Sequence, residues 1–105
     1  MLSGSKLELY FIVEGDRSIL LFISELPEQV QEEAEALIRL IQEKGVAILG
    51  GRLLTHENGL FELRGEHVRI FYKFSADNRL ILLDGLLPDQ GDEFLANIQR
   101  KAELV

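Results

Sequence analysis

The pattern of apolar and polar residues is most regular between Gly59 and Leu87, where its alternation predicts three consecutive β-strands joined by two tight turns. We place the first turn at Gly65-Glu66, a two-residue hairpin loop with glycine at its first position. Residues that pair across a hairpin share a face of the sheet, so this turn sorts the side chains into two sets. The set predicted to face the core is Phe61, Leu63, Val68, Ile70, Tyr72 and Phe74. The opposite set is Leu60, Glu62, Arg64, His67, Arg69, Phe71 and Lys73.

The third strand is predicted to follow a turn within residues 75–78. A loop of two residues and a loop of four give the same facing, since both change the register by an even number of residues. Asp84 then lies on the face of Arg69, whereas Ile81 and Leu83 face the core.

Apolar residues recur at helical spacing in two further segments. The longer helix is predicted to open at Leu26-Pro27, because proline suits the first helical position, and to end at Gly45. The shorter helix begins at Asp92, a capping residue, and has Arg100 and Lys101 near its end. The apolar stripes are Val30, Ala34, Leu37, Ile38 and Ile41 in the longer helix, and Phe94, Leu95, Ile98 and Ala102 in the shorter one.

The remaining segments complete a single α+β domain spanning residues 1–105. Lys6 to Val13 is rich in β-formers and predicts an N-terminal strand. The apolar run from Ser18 to Ser24 fits either a strand or a buried helix, and we favour a short helix because the longer helix follows at once. Val46 to Asn58 is interpreted as a connector.

Composition narrows the classes of function. The chain has a formal net charge of −7, which is unfavourable for non-specific binding to nucleic-acid phosphates. It has no cysteine, so disulfides and thiolate metal sites are excluded. We predict no metal and no cofactor, and we interpret His56, in a polar loop, as a solvated side chain, with a site role as the minor alternative. No stretch approaches the ~20 apolar residues of a membrane span, so we expect a cytoplasmic protein.

The charged face of the predicted sheet has two interpretations. As ordinary solvated surface, it would carry a cross-strand pair between Glu62 and Arg69. As a phosphodiester site, its arginines would bind phosphate and stabilise the charge that develops on it. Glu62 or His67 would then transfer protons, and Phe71 would stack a base.

The ordered segments GLFELR, VRIFYKF and RLILLDGLL resemble the HigB/RelE-like toxin family, in particular its phage-derived HigB-type branch. The family pattern is a Gly-aromatic-Glu-Leu-Arg strand, an Arg-Ile-Phe/Leu-Tyr strand and an apolar strand ending in Gly-Phe. The resemblance implies a RelE-like fold, with an N-terminal strand and two helices packed on a curved antiparallel sheet and a C-terminal helix. It also implies a ribosome-dependent mRNA endoribonuclease that a helix-turn-helix antitoxin neutralises.

The resemblance makes Arg64 and Arg69 the catalytic candidates, because they match the family's phosphate-handling arginines. Glu62 and Tyr72 also match the pattern, although the face assignment makes Tyr72 a core residue. The candidates for RNA binding are Lys73, His67 and Phe71.

The chain departs from the family pattern after the third strand. The family usually has a lysine pair after Gly-Phe, where this chain continues Leu86-Leu87-Pro88-Asp89. Asp84 stands where the family often has His or Asn, and an anion beside Arg69 would neutralise it. Two predictions within this family therefore stay open: a toxin homologue that cleaves mRNA, and a non-catalytic RelE-fold module that binds an antitoxin-like partner or a second copy of itself. An unrelated α+β domain is the third alternative.

Overall fold

The computed structural model describes residues 9–11, 19–45, 53–74 and 80–103, and these form an α+β fold, as predicted. The helices are α1 (Ile19–Ser24), α2 (Glu28–Lys44) and α3 (Asp92–Glu103), and a short 3₁₀ turn spans Glu57–Gly59. The strands are β1 (Leu9–Phe11), β2 (Leu53–Thr55), β3 (Phe61–Arg64), β4 (Arg69–Phe74) and β5 (Leu80–Leu86). Strand β2 lies in the segment that we predicted to be a connector, so that prediction is wrong for residues 53–55. The predicted turn within residues 75–78 lies outside the described residues.

The sheet is mixed and its strands are ordered β1-β5-β4-β3-β2. Strand β1 runs parallel to β5, and the other neighbours are antiparallel. Helix α1 contacts β5, helix α2 contacts β4, and α3 also contacts β5. Among the described helices, none combines the length and the apolar character that a membrane crossing requires.

Helix α2 is built as its sequence predicts. Ala34, Leu37 and Ile41 are buried against the sheet. The helix ends because Gly45 adopts a φ of 58°, which glycine tolerates at no steric cost, while its N–H donates to the Ile41 carbonyl at 2.7 Å. The short helix α1 confirms the choice of helix for the preceding apolar run.

The loop between β3 and β4 contains four residues and not two. Arg64 pairs with Arg69, and the N–H of Gly65 donates to the carbonyl of Val68 at 2.8 Å. The Glu33 carboxylate, on α2, accepts the backbone N–H groups of the two residues at the loop tip. The predicted register is therefore wrong by two residues. Because that error is even, every side chain of β3 and β4 stays on its predicted face.

An irregularity in β5 changes the facing of its first half. Phe71 pairs with Asp84, but Tyr72 pairs with Leu82, so one residue of β5 is left over between these pairs. Such a bulge reverses the alternation on one side of it. Asp84 consequently lies on the predicted face, whereas Leu80 and Leu82 face the α1/α2 layer in place of the residues that we predicted, Ile81 and Leu83.

The face that we expected to be charged carries a second apolar core beneath α3. Phe71 is fully buried in it, and Ile98 and Ala102 of α3 cover it. Phe94 is 39% exposed, so its predicted place in the buried stripe of α3 is wrong. The complete buried set of this second core is Leu60, Phe71, Ile81, Leu83, Leu86, Ile98 and Ala102.

Tyr72 belongs to the first core, which is the cluster of buried residues between the sheet and helices α1 and α2, as the face assignment predicts. Its side chain is fully buried, its ring stacks on Phe61 with 5.5 Å between centroids, and its hydroxyl donates to the Gly45 carbonyl at 3.2 Å. Burial raises the pKa of Tyr72 to about 12. The neutral phenol is thus the form that the folded state favours.

We expect Tyr72→Phe to lower the free energy of unfolding by about 1 kcal/mol at pH 7, because it removes a buried hydrogen bond. The raised pKa of Tyr72 adds to the free energy of unfolding. This contribution is fully present below pH 10, the ordinary pKa of tyrosine, and is lost as the pH rises from 10 to about 12. The advantage of the wild type should therefore shrink above pH 10, as measured by urea unfolding at pH 7 and pH 11. A constant difference between the two proteins at both pH values would contradict this account.

Candidate functional site

A buried carboxylate on β3 gathers three basic side chains at the sheet face. Glu62 is only 1% exposed, and its Oε1 lies 2.7 Å from Nε2 of His56. Its Oε2 accepts hydrogen bonds from Nε of Arg64 at 2.8 Å and from Nη1 of Arg69 at 3.2 Å. These four residues, His56, Glu62, Arg64 and Arg69, are called the Glu62 cluster below.

The strand geometry explains why these residues meet. Glu62 and Arg64 are two positions apart on β3 and so share a face, and Arg69 lies directly across from Arg64 on β4. Two like charges placed opposite each other destabilise a sheet, and the carboxylate of Glu62 between them offsets that repulsion. His56 joins from the end of β2, where its N–H donates to the Leu60 carbonyl at 2.8 Å.

The electrostatics of the cluster keep Glu62 ionised. Burial by itself raises the pKa of Glu62 through desolvation. Hydrogen bonds from Arg64 and His56, together with the charges of Arg64 and Arg69, outweigh this effect and hold the pKa of Glu62 below its ordinary value. The cluster therefore contains one fixed negative charge and two fixed positive charges.

The two arginines differ in their access to solvent. The side chain of Arg64 is 50% exposed, so its guanidinium can reach a ligand. The side chain of Arg69 is 19% exposed, and its Nη2 donates to the backbone carbonyl of Gln90 at 3.0 Å. Gln90 is held in turn because its side-chain Oε1 accepts the N–H of Leu87 at 2.8 Å. Arg69 is therefore the largely buried arginine of the cluster, and Arg64 is the arginine that solvent and a ligand can reach.

A second ion pair lies between β5 and α3. Oδ2 of Asp84 accepts a hydrogen bond from Nζ of Lys101 at 2.9 Å, and both side chains are largely buried. Lys73 donates to the backbone carbonyl of Ala102 at 2.9 Å, which fixes α3 at another point. The charge of Asp84 is thus balanced by a lysine of the C-terminal helix.

A family model described as "Phage derived protein Gp49-like (DUF891)" matches residues 21–87, well over half of the chain. The chain belongs to this family. Gp49-like proteins are a family of RelE/toxin-like proteins. No curated protein matches the chain. The matched segment contains the whole Glu62 cluster, whereas α3 lies beyond it.

The Gp49-like chain brings together only some of the residues that its sequence suggested for RNA chemistry. Arg64 and Arg69 meet in the Glu62 cluster, and Lys73 lies on the same face under α3. His67 lies elsewhere, at the loop tip beside α2, with its Nδ1 3.4 Å from Oε1 of Glu33. Phe71 is fully buried, which does not fit the predicted base stacking.

His56 is the cluster member that the sequence interpretation treated as solvated surface. Its recruitment depends on β2, since Thr55 pairs with Phe61 and so brings His56 towards Glu62. A signal for this hairpin was present in the sequence, because Asn-Gly is a strong turn dipeptide. Asn58 and Gly59 both adopt positive φ values in the turn, 62° and 75°.

Within the described residues, no group of three or more acidic, histidine or cysteine side chains could hold a metal ion. The Glu62 cluster itself has two arginines on its carboxylate, which leaves that carboxylate poorly suited to a cation. Its chemistry is that of an anion-binding arginine next to a histidine that a carboxylate orients.

Proposed function

We propose that this Gp49-like chain is a toxin homologue of a toxin–antitoxin module and that it cleaves messenger RNA on the ribosome as an endoribonuclease. The observation that carries the proposal is the Glu62 cluster, in which one buried carboxylate holds a histidine on one oxygen and a half-exposed arginine on the other. Membership of a RelE/toxin-like family and the resemblance of its strands to HigB-type toxins support the same reaction.

The proposed reaction is attack of a ribose 2′-oxygen on the neighbouring phosphorus. This reaction needs positive charge on the phosphate oxygens as negative charge develops there. Nε of Arg64 already donates to Glu62, so its terminal nitrogens would bind the phosphate. Arg69 contributes a second positive charge but uses both terminal nitrogens within the protein, on Glu62 and Gln90. We therefore assign phosphate contact to Arg64 and support of the site to Arg69.

The partners follow from this proposal. A toxin of this kind would act in the cytoplasm, where it meets the ribosome and its mRNA, and a helix-turn-helix antitoxin would neutralise it. The chain's net charge of −7 disfavours strong non-specific binding to free RNA. Positioning of the mRNA by the ribosome would compensate for this weak intrinsic affinity.

The test is induced expression in bacteria, with growth and the 5′ ends of cellular mRNAs as readouts. We expect the wild type to stop growth and produce new mRNA ends, and Arg64→Ala to reduce cleavage by about 10²-fold or more. Arg69→Ala should have a comparable effect, because it disturbs the same carboxylate. Arg39→Ala is the matched control, since Arg39 is an exposed arginine on α2, away from the cluster.

The nuclease proposal is rejected if induction of the wild type leaves growth and mRNA intact and the Arg64→Ala and Arg69→Ala proteins behave in the same way. Soluble yield and thermal unfolding of each variant should be measured in parallel. These measurements separate a loss of chemistry from a loss of folded protein.

One observation favours a second function, that of a non-catalytic protein-binding module. Three of the charged groups on the candidate face already have partners within the chain: Arg69 on Gln90, Lys73 on Ala102 and Asp84 on Lys101. If the wild type leaves mRNA intact but co-purifies in fixed ratio with a helix-turn-helix protein, or sediments as a dimer, this second function replaces the first.

A further inference from the structure

We propose that His56 is the general base of this cleavage, and that its Nδ1 takes the proton from the attacking 2′-hydroxyl. The inference rests on the proposed function and adds to it a residue outside the predicted site. Glu62 sets the tautomer of the His56 imidazole. Glu62 is ionised and can only accept a hydrogen bond, so the His56 nitrogen 2.7 Å from it, Nε2, carries the hydrogen. In the neutral ring Nδ1 then has the free lone pair.

The surroundings of His56 fix this ring in place. Its backbone N–H is bonded to the Leu60 carbonyl, and its ring packs on Phe71 with 5.9 Å between centroids. Glu62 is itself held by two arginines, so the carboxylate that orients the ring has little freedom to turn. The His56 side chain remains 20% exposed, and within the described part of the chain no residue hydrogen-bonds its Nδ1. A carboxylate that holds a histidine in one tautomer is the arrangement by which a histidine is prepared to accept a proton.

The position of Arg64 completes the geometry. His56 and Arg64 contact opposite oxygens of the same carboxylate, so the base and the phosphate-binding cation are separated by a single functional group. A phosphate bound to the terminal nitrogens of Arg64 would lie at the same cluster as His56, and the proposed cleavage requires its neighbouring ribose to reach Nδ1 of His56.

The atoms balance in one transesterification. The 2′-oxygen forms a bond to phosphorus as its proton moves to Nδ1 of His56, and the bond from phosphorus to the 5′-oxygen breaks. The leaving 5′-oxygen takes a proton from water, and His56 returns its proton to solvent. The products are a 2′,3′-cyclic phosphate and a 5′-hydroxyl end, with no oxidant, reductant or metal consumed.

The control is Arg39→Ala, since Arg39 is an exposed residue of α2 that takes no part in the Glu62 cluster. Single-turnover cleavage of ribosome-bound mRNA should be measured for the wild type, His56→Ala, His56→Gln and Arg39→Ala. Glutamine preserves an N–H donor for Glu62 but has no basic nitrogen, so His56→Gln tests proton transfer with the least effect on folding. We expect both His56 variants to slow cleavage about 10²–10⁴-fold while binding to the ribosome is unchanged. Arg39→Ala should cleave at the wild-type rate.

Added imidazole gives a readout that a structural role would not move. It should restore part of the cleavage by His56→Ala, whose missing ring leaves space for it, and should leave Arg39→Ala unaffected. Wild-type cleavage rates in both His56 variants would overturn this inference and leave the proposed function intact. An absence of cleavage by the wild type would overturn both.

Discussion

Lys101→Met is expected to lower the free energy of unfolding by about 3–5 kcal/mol, although it changes one side chain near the C-terminal end of α3. The side chain of Asp84 is 5% exposed and that of Lys101 is 12% exposed, and they meet at 2.9 Å. Removing the lysine takes away the cation 2.9 Å from a largely buried carboxylate of the second core, which still accepts the backbone N–H of Gly85. The cost is mainly that of weaker compensation of this buried charge, since methionine fills much the same volume as the lysine stem.

The expected loss is specific to the ion pair, and two further variants test this. Arg100→Met alters the adjacent cation, which is exposed and bonds only to Asn97 among the side chains described, so it should cost less than about 0.5 kcal/mol. In the double variant Asp84→Asn/Lys101→Met the buried charge is gone, and most of the stability should return. All three are compared with the wild type by urea unfolding at pH 7. Equal losses in Lys101→Met and in the double variant would show that the buried charge of Asp84 is not the source of the loss.

The sequence could predict which side chains of the β3–β4 hairpin share a face, because this depends only on whether the loop length is even or odd. The loop between β3 and β4 is two residues longer than predicted, yet Arg64 and Arg69 still meet on one face. Any even error in loop length preserves the facing. The carboxylate that stabilises the longer loop, Glu33, lies more than thirty residues away in the chain, where a local reading of turn residues does not find it.

The facing of β5 could not be predicted, because a single extra residue reverses it. The bulge opposite the Phe71/Tyr72 pair leaves Asp84 on the predicted face and moves Ile81 to the opposite one. Nearly every residue of this strand is apolar, so both faces look alike in the sequence. Only the existence of two cores, one beneath α3, explains why both faces are apolar.

The candidate site was predicted in part for a related reason. Arg64 and Arg69 are found from alternation, whereas the recruitment of His56 requires a three-residue strand, β2, that has no clear period. The sequence also led us to expect that Asp84 would neutralise Arg69. In the structure the carboxylate that pairs with Arg69 is Glu62, whereas a lysine of α3 pairs with Asp84. Pairing of this kind is set by tertiary contact between distant segments, which local pattern does not contain.

Gly85→Ala is expected to have the second large effect, a loss of about 1–3 kcal/mol or more from the free energy of unfolding. Gly85 lies on β5 opposite Ile70, and a Cβ atom there would stand 2.3 Å from Cε2 and 2.7 Å from Cδ2 of Phe22. The Phe22 ring belongs to the first core and is 3% exposed, so it cannot swing into solvent to make room. The glycine of the apolar third strand therefore has a packing role, because it lets α1 approach the sheet.

Two comparisons separate this steric effect from the general consequences of replacing glycine. Gly91→Ala is the control, since a Cβ at Gly91 would meet nothing within 4 Å, and it should change stability by less than about 1 kcal/mol. Phe22→Leu removes the ring that would clash, so Gly85→Ala should cost much less when introduced into that background than into the wild type. Chemical unfolding of the four members of this cycle measures the coupling between Phe22 and Gly85 directly. Losses that simply add would mean that the Phe22 ring is not what requires a glycine on β5.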